Sequence, residues 1–169
     1  ISASDGMSPI TIDNGYHIGG AYLNGKVVDS VGGGVCQVST TLYNAALAAE
    51  LEIVERFNHS MIVSYVEPAM DAAIAGTYKD LKIKNNTDAP VYIEAVTEGR
   101  KVTFTIYGNE TRDTVNRKVE YRSETVDVIQ PGKEKVTKDD MLPTTYRRVT
   151  QSAHVGYKAY LWKIVYKDG

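Results

Sequence analysis

The strongest constraint in the chain is a run of three glycines that ends in a helix-forming segment. Gly32-Gly33-Gly34 passes directly into Val35-Cys36-Gln37-Val38-Ser39-Thr40-Thr41-Leu42-Tyr43-Asn44-Ala45-Ala46-Leu47. Beyond Cys36, apolar residues fall at Val38, Leu42, Ala45 and Ala49, spaced four, three and four apart. That spacing marks one face of an α-helix and predicts a helix from about Cys36 to Glu50. Glycine extends a helix poorly but takes backbone angles that other residues avoid. The junction therefore reads as a tight turn that delivers the only cysteine to the first turn of a helix.

That position has chemical consequences. The first N–H groups of a helix lack intrahelical partners, and the dipole concentrates positive charge there. A thiolate is stabilised in this setting, so the thiol pKa is expected to fall. The N–H groups near Cys36 and Gln37 are candidates to hold an oxyanion. Gly34, without a side chain, lets a substrate backbone approach, and Gly34, Gln37 and Ser39 form the candidate substrate-binding and oxyanion set. Two readings of Cys36 stand side by side: a nucleophile, or a small buried hydrophobe.

Composition narrows the class. A chain of 169 residues holds one good-sized domain, or one domain with a small appendage. A net charge of −2 argues against a nucleic-acid partner. One cysteine excludes an intrachain disulfide and any multi-cysteine zinc site. His17, His59 and His154 are scattered without metal-ligand spacing, so neither metal nor cofactor is expected. No apolar run is long enough to span a membrane. The chain opens on Ile1-Ser2-Ala3 without an initiator methionine and reads as a fragment of something longer.

Taken in order, residues 1–15 read as irregular. Gly15–Leu23 and Lys26–Asp29 read as strands joined by an Asn24-Gly25 hairpin turn. After the helix, Leu51–Arg56 and Met61–Val66 alternate as strands, with Phe57–Ser60 between them. Thr77–Lys84 reads as another strand, and Val91–Thr97 with Lys101–Gly108 as an antiparallel continuation. A polar stretch at 109–116 marks a soft boundary. Beyond it, Val119–Ile129, Thr145–Gln151 and Gly156–Tyr166 read as strands, with His154 in an exposed loop. The fold class expected is α+β. One principal helix carries the cysteine and packs on a mainly antiparallel sheet over residues 1–110; an all-β tail follows over 111–169.

His59 lies shortly after the strand that follows the helix, where a histidine can take the thiol proton, as in papain-like and transglutaminase-like enzymes. Its other reading is a structural histidine at a strand end. A third group would orient the imidazole. Ser64, Asp71 and Asp80 are the candidates, against the reading of each aspartate as a turn or cap residue. Arg56 is placed to bind a substrate carboxylate, or is simply a solvated strand residue.

These residues resemble the VanW family. The likeness rests on Gly32–Ala46, Glu55-Arg56-Phe57-Asn58-His59-Ser60, Tyr65-Val66, Asp71-Ala72 and Tyr78-Lys79-Asp80-Leu81-Lys82-Ile83-Lys84-Asn85-Asn86-Thr87, within about residues 15–108. Residues 109–169 resemble the start of the small five-glycine all-β modules that often follow such domains. The resemblance implies an extracytoplasmic protein of a bacterial cell wall, Gram-positive, secreted or membrane-anchored, acting on peptidoglycan stem peptides. The implied activity is L,D-transpeptidation, which makes 3-3 cross-links through a cysteine acyl-enzyme. Catalysis would fall to Cys36, His59 and Asp71, with Gly34, Gln37, Ser39 and Arg56 about the substrate. The alternatives are a cysteine peptidase or amidase trimming the same stems, and a non-catalytic wall-binding module.

Overall fold

The computed structural model describes residues 1–23 and 25–169. Its elements are α1 (Ala3–Met7), a 3-10 turn (Ile12–Asn14), β1 (Ile18–Leu23), β2 (Lys26–Val31), α2 (Val35–Ala48), β3 (Glu52–Glu55), β4 (Lys82–Lys84), β5 (Tyr92–Glu98), β6 (Lys101–Tyr107), β7 (Arg117–Ile129) and β8 (Gly156–Lys167). The fold is α+β. The strands form four separate antiparallel pairs, β1–β2, β3–β4, β5–β6 and β7–β8, not the one continuous sheet expected. Among the described residues, no helix is long and apolar enough to cross a membrane.

Helix α2 is the axis on which the pairs assemble. Its buried residues are Ser39, Thr40, Leu42, Tyr43, Ala46 and Leu47. The expected stripe is therefore rotated: Leu42 holds its place, while Val38, Ala45 and Ala49 are only half-buried. Two hydroxyl residues replace them because each finds a backbone partner inside, which removes the cost of burying them. Around α2 the core gathers Ala3, Leu51, Ala72, Ile74, Leu81 and Ile83, with Leu81 fully enclosed. Ile93, Phe104 and Ile106 of the β5–β6 hairpin pack against the same cluster. They share one face because Ile93 pairs with Ile106 and Ala95 with Phe104.

The first residues are ordered, contrary to the irregular segment expected. Ile1 and Ala3 flank β4: the Ile83 N–H donates to the Ile1 carbonyl (2.9 Å) and the Ala3 N–H to the Leu81 carbonyl (2.9 Å). Asp80 fastens this edge, accepting from the Ser2 hydroxyl (2.6 Å), the Ser4 N–H (2.9 Å) and the Leu81 N–H (2.8 Å).

Met61–Val66 is not a strand, nor is Thr145–Gln151. In the first, alternation reflects one buried side chain, Val63, and the backbone has no ladder partner among the described residues. Only Lys82–Lys84 of Thr77–Lys84 is extended; Ala75–Lys79 closes a turn. The Asn24 half of the anticipated hairpin turn lies outside the described residues, and Gly25 has a φ of 74°. The closing ribbon pairs β7 with β8 over their whole length. Tyr121 and Leu161 turn its inner face onto the core.

Candidate functional site

Each glycine of the triplet answers a different steric demand. Gly32 has a φ of 79°, and a Cβ there would lie 2.3 Å from Ile10 Cγ2. A Cβ on Gly33 would lie 2.4 Å from the Gly19 backbone, so hairpin β1–β2 folds back tightly onto the turn. Gly34 caps α2 with a φ of 103° and is open to its surroundings. Any L side chain would strain that angle.

The turn sets the first helical N–H groups. The Val35 N–H donates to the Gly32 carbonyl (3.1 Å), and those of Gln37 (2.9 Å) and Val38 (3.2 Å) to the Gly34 carbonyl. The Cys36 N–H has no acceptor among the described residues. This corrects the expected oxyanion pair, because the Gln37 N–H is already engaged. The Gln37 side chain is exposed.

Cys36, Thr40 and Asn44 stand four residues apart on one face of α2, facing the loop 70–74. The Asn44 amide donates to the Met70 carbonyl (2.9 Å), and Thr40 Oγ1 accepts the Ala72 N–H (2.9 Å). Ser39, fully buried, donates its hydroxyl to the Ala72 carbonyl (2.6 Å). Ser39 is therefore a fastener of this loop and is not positioned to touch a substrate. The half-buried Cys36 thiol lies against the same loop, donating to the Ile74 carbonyl (3.3 Å).

The loop brings Asp71 to His59. Asp71 Oδ2 accepts from His59 Nδ1 (2.6 Å) and from the His59 backbone N–H (2.7 Å). Arg56 completes the clamp. Its Nε donates to the Asp71 carbonyl (2.6 Å) and its terminal nitrogen to Asp71 Oδ1. The guanidinium also sits 5.7 Å over the Tyr43 ring. So occupied, Arg56 is not available to grip a substrate carboxylate. Of the other proposed orienters, Asp80 is spent on residues 2–4, and Ser64 is exposed. His17 is exposed too.

With Nδ1 on Asp71, Nε2 is the ring nitrogen left free of the carboxylate, and the imidazole and the Cys36 thiol shift each other's titration. The Tyr65 hydroxyl is 3.4 Å from Nε2. Tyr22 and Tyr65 both meet the imidazole edge-on, with centroids at 6.2 and 6.3 Å. Tyr22 arrives on β1, so the tight Gly19–Gly33 approach governs its placement.

The electrostatics match the geometry. Burial opposes ionisation of Cys36, but hydrogen bonding to His59 and Ile74 and the charges of His59 and Lys79 outweigh it; the thiol titrates below its usual range. Burial alone would lower the His59 pKa, yet Asp71 and Cys36 push it up to about 9. Asp71, although burial disfavours its charge, is held below the usual carboxylate range by His59 and Arg56. The three groups thus favour one another's charged forms: Cys36 and Asp71 are eased toward the anion and His59 toward the cation. Among the described residues, no group of three or more His, Cys, Asp or Glu side chains is arranged to hold a metal ion.

Sequence reasoning missed Thr40, Asn44, Tyr22, Tyr65 and Lys79. The four-residue spacing from Cys36 was a signal for the first two. The others come from segments distant in sequence and left no local sign.

Residues 1–107 match the family model described as "VanW like protein". The chain is 35% identical over 109 residues to "Uncharacterized protein YoaR" of Bacillus subtilis (strain 168), covering 64% of this chain and 36% of that protein. It is 30% identical over 104 residues to "Vancomycin B-type resistance protein VanW" of Enterococcus faecalis (strain ATCC 700802 / V583), covering 58% of this chain and 38% of that one. The aligned part is thus little more than a third of either relative. No solved structure shows significant similarity.

Proposed function

The chain belongs to the VanW-like family, and from that footing we propose that it is a cysteine acyltransferase of the bacterial cell wall, an L,D-transpeptidase that joins peptidoglycan stem peptides by 3-3 cross-links. One observation carries the reading: Cys36 opens a helix beside a histidine whose far nitrogen is held by a carboxylate. That is the geometry nucleophilic acyl transfer requires. One relative's name refers to vancomycin resistance, which supports a cell-wall setting.

The Cys36 thiolate attacks the carbonyl carbon of the third stem residue and a C–S bond forms. The Cys36 N–H receives the developing oxyanion. His59 Nε2 gives its proton to the departing nitrogen, the C–N bond breaks, and the terminal D-alanine leaves as a free amino acid. The side-chain amine of a second stem then attacks the thioester. His59 takes its proton, the new amide forms, and the thiolate is released. Asp71 keeps Nδ1 protonated throughout, and Arg56 keeps Asp71 ionised and aimed. Asp71 and Arg56 thus act through His59; Cys36 and His59 act on the reacting atoms.

The test is incubation of the protein with a tetrapeptide-stem muropeptide as both donor and acceptor, with products read by mass spectrometry. A 3-3 dimer that disappears in Cys36→Ala supports the reading. Trimmed monomer without dimer converts it to a peptidase. Equal dimer from Cys36→Ala defeats it.

A further inference from the structure

Lys79 belongs to the Tyr78-Lys79-Asp80 segment, to which the mechanism assigns nothing. Its backbone is tied to Ala75: the Ala75 N–H donates to the Lys79 carbonyl (2.9 Å), and the Lys79 N–H returns to the Ala75 carbonyl (3.3 Å). The residue before Ala75 is Ile74, whose carbonyl meets the Cys36 thiol. The other end of the side chain lies elsewhere. Lys79 Nζ donates to the Asn58 carbonyl (2.9 Å), and Asn58 precedes His59. Lys79 thus reaches from the loop beside the sulfur to the residue beside the imidazole.

Charge bookkeeping singles it out. Arg56, the cation nearest His59 in sequence, is committed to Asp71. Lys82 pairs with Glu55 and Lys84 with Glu52. No carboxylate pairs with Lys79 among the described residues, and only one of its three ammonium donors is used by Asn58. Its positive charge is felt at the thiol.

We propose that Lys79 is the substrate-binding residue that holds the free C-terminal carboxylate of the acyl-donor peptide, so that the site selects donors ending one residue beyond the scissile bond. The proposal rests on the acyl-transfer reading above. Standard backbone dimensions put such a carboxylate within about 4 Å of the attacked carbon. A cation held against the residue before His59, on a side chain rooted beside the loop that meets the Cys36 thiol, is placed to meet it. A longer donor would bring an amide there instead, and the ammonium would gain no ion pair.

Two measurements test this. The first compares alkylation of Cys36 in the folded protein by anionic iodoacetate and neutral iodoacetamide. The iodoacetate-to-iodoacetamide rate ratio should fall about tenfold in Lys79→Gln, the scale of one short-range charge interaction near a surface, and recover in Lys79→Arg. Taking a ratio cancels any change in thiolate fraction. The second compares donor stems ending in a carboxylate or a carboxamide; the wild-type preference for the carboxylate in kcat/KM should collapse in Lys79→Gln. An unchanged alkylation ratio in Lys79→Gln overturns the proposal even if 3-3 dimer is formed. A collapsed ratio without any dimer keeps the anion subsite and removes the transpeptidase reading.

Discussion

One carboxylate oxygen of Asp71 takes two hydrogens from His59, the ring Nδ1–H at 2.6 Å and the backbone N–H at 2.7 Å. The residue that aims the imidazole is therefore also the one that pins the main chain bearing it. Arg56 holds the other oxygen and the Asp71 carbonyl, so the orienting group is itself oriented.

Replacing Asp71 with Asn should separate these duties. The amide oxygen can still accept one hydrogen, but the charge that keeps His59 protonated is gone. The His59 pKa should move down from about 9, and kcat for cross-linking should fall by about a hundredfold or more. NMR titration of the His59 ring and turnover against pH report the two effects. An imidazole still titrating near its wild-type value would refute the assignment.

The thiol should alkylate with an apparent pKa below the ordinary ~8.5. Because the Cys36 pKa is lowered and that of His59 raised, the two charges support each other. Iodoacetamide labelling should reach its plateau at lower pH than a free thiol and decline as the pH falls below the thiol pKa. In His59→Ala the decline should begin at higher pH, and labelling at pH 7 should slow about tenfold for each unit of upward shift. A wild-type profile centred on the ordinary value would remove the basis for a nucleophile.

Thr40→Val keeps the side-chain shape and deletes the hydroxyl that accepts the Ala72 N–H. A buried donor without a partner costs roughly 1–3 kcal/mol. Chemical denaturation should show that loss. Cross-linking should also weaken, because the same loop carries Asp71. Unchanged stability would mean that the Thr40–Ala72 hydrogen bond does not help to hold the loop on α2.

Glu50 supplies an acid-sensitive stabilising contact. Arg117 bonds it at 2.6 and 2.7 Å, with Arg112 at 2.9 Å and Lys163 at 2.6 Å, and its pKa falls to about 2, chiefly through Arg117. A folded pKa below the unfolded one gives stability that is complete above about 4.3 and is lost as pH falls toward 2. Glu50→Gln should melt lower than wild type at pH 7, and the gap should close on acidification through that range. A gap independent of pH would contradict the linkage.

Helix α2 was readable because its period extends over fourteen residues and the glycines mark its start. Cys36 and His59 could be picked out from residue chemistry, while Asp71 stood level with Ser64 and Asp80; its meeting with His59 depends on the 70–74 loop, which has no periodicity. Met61–Val66 misled because one buried valine produces the same alternation as a half-buried strand. Ser39 and Arg56 misled for another reason. A polar side chain beside a site looks available until its partners are known, and both find theirs in backbone or carboxylate groups more than ten residues away.

The family match stops at residue 107, yet the cations that neutralise Glu50 sit at 112, 117 and 163. The stretch of chain that relatives share is thus shorter than the stretch that holds α2 at both ends. Cutting after Tyr107 would leave a carboxylate with no counterion at one end of the helix while the cysteine waited at the other. The ribbon thus anchors the helix end opposite Cys36 through charges that lie beyond the shared stretch.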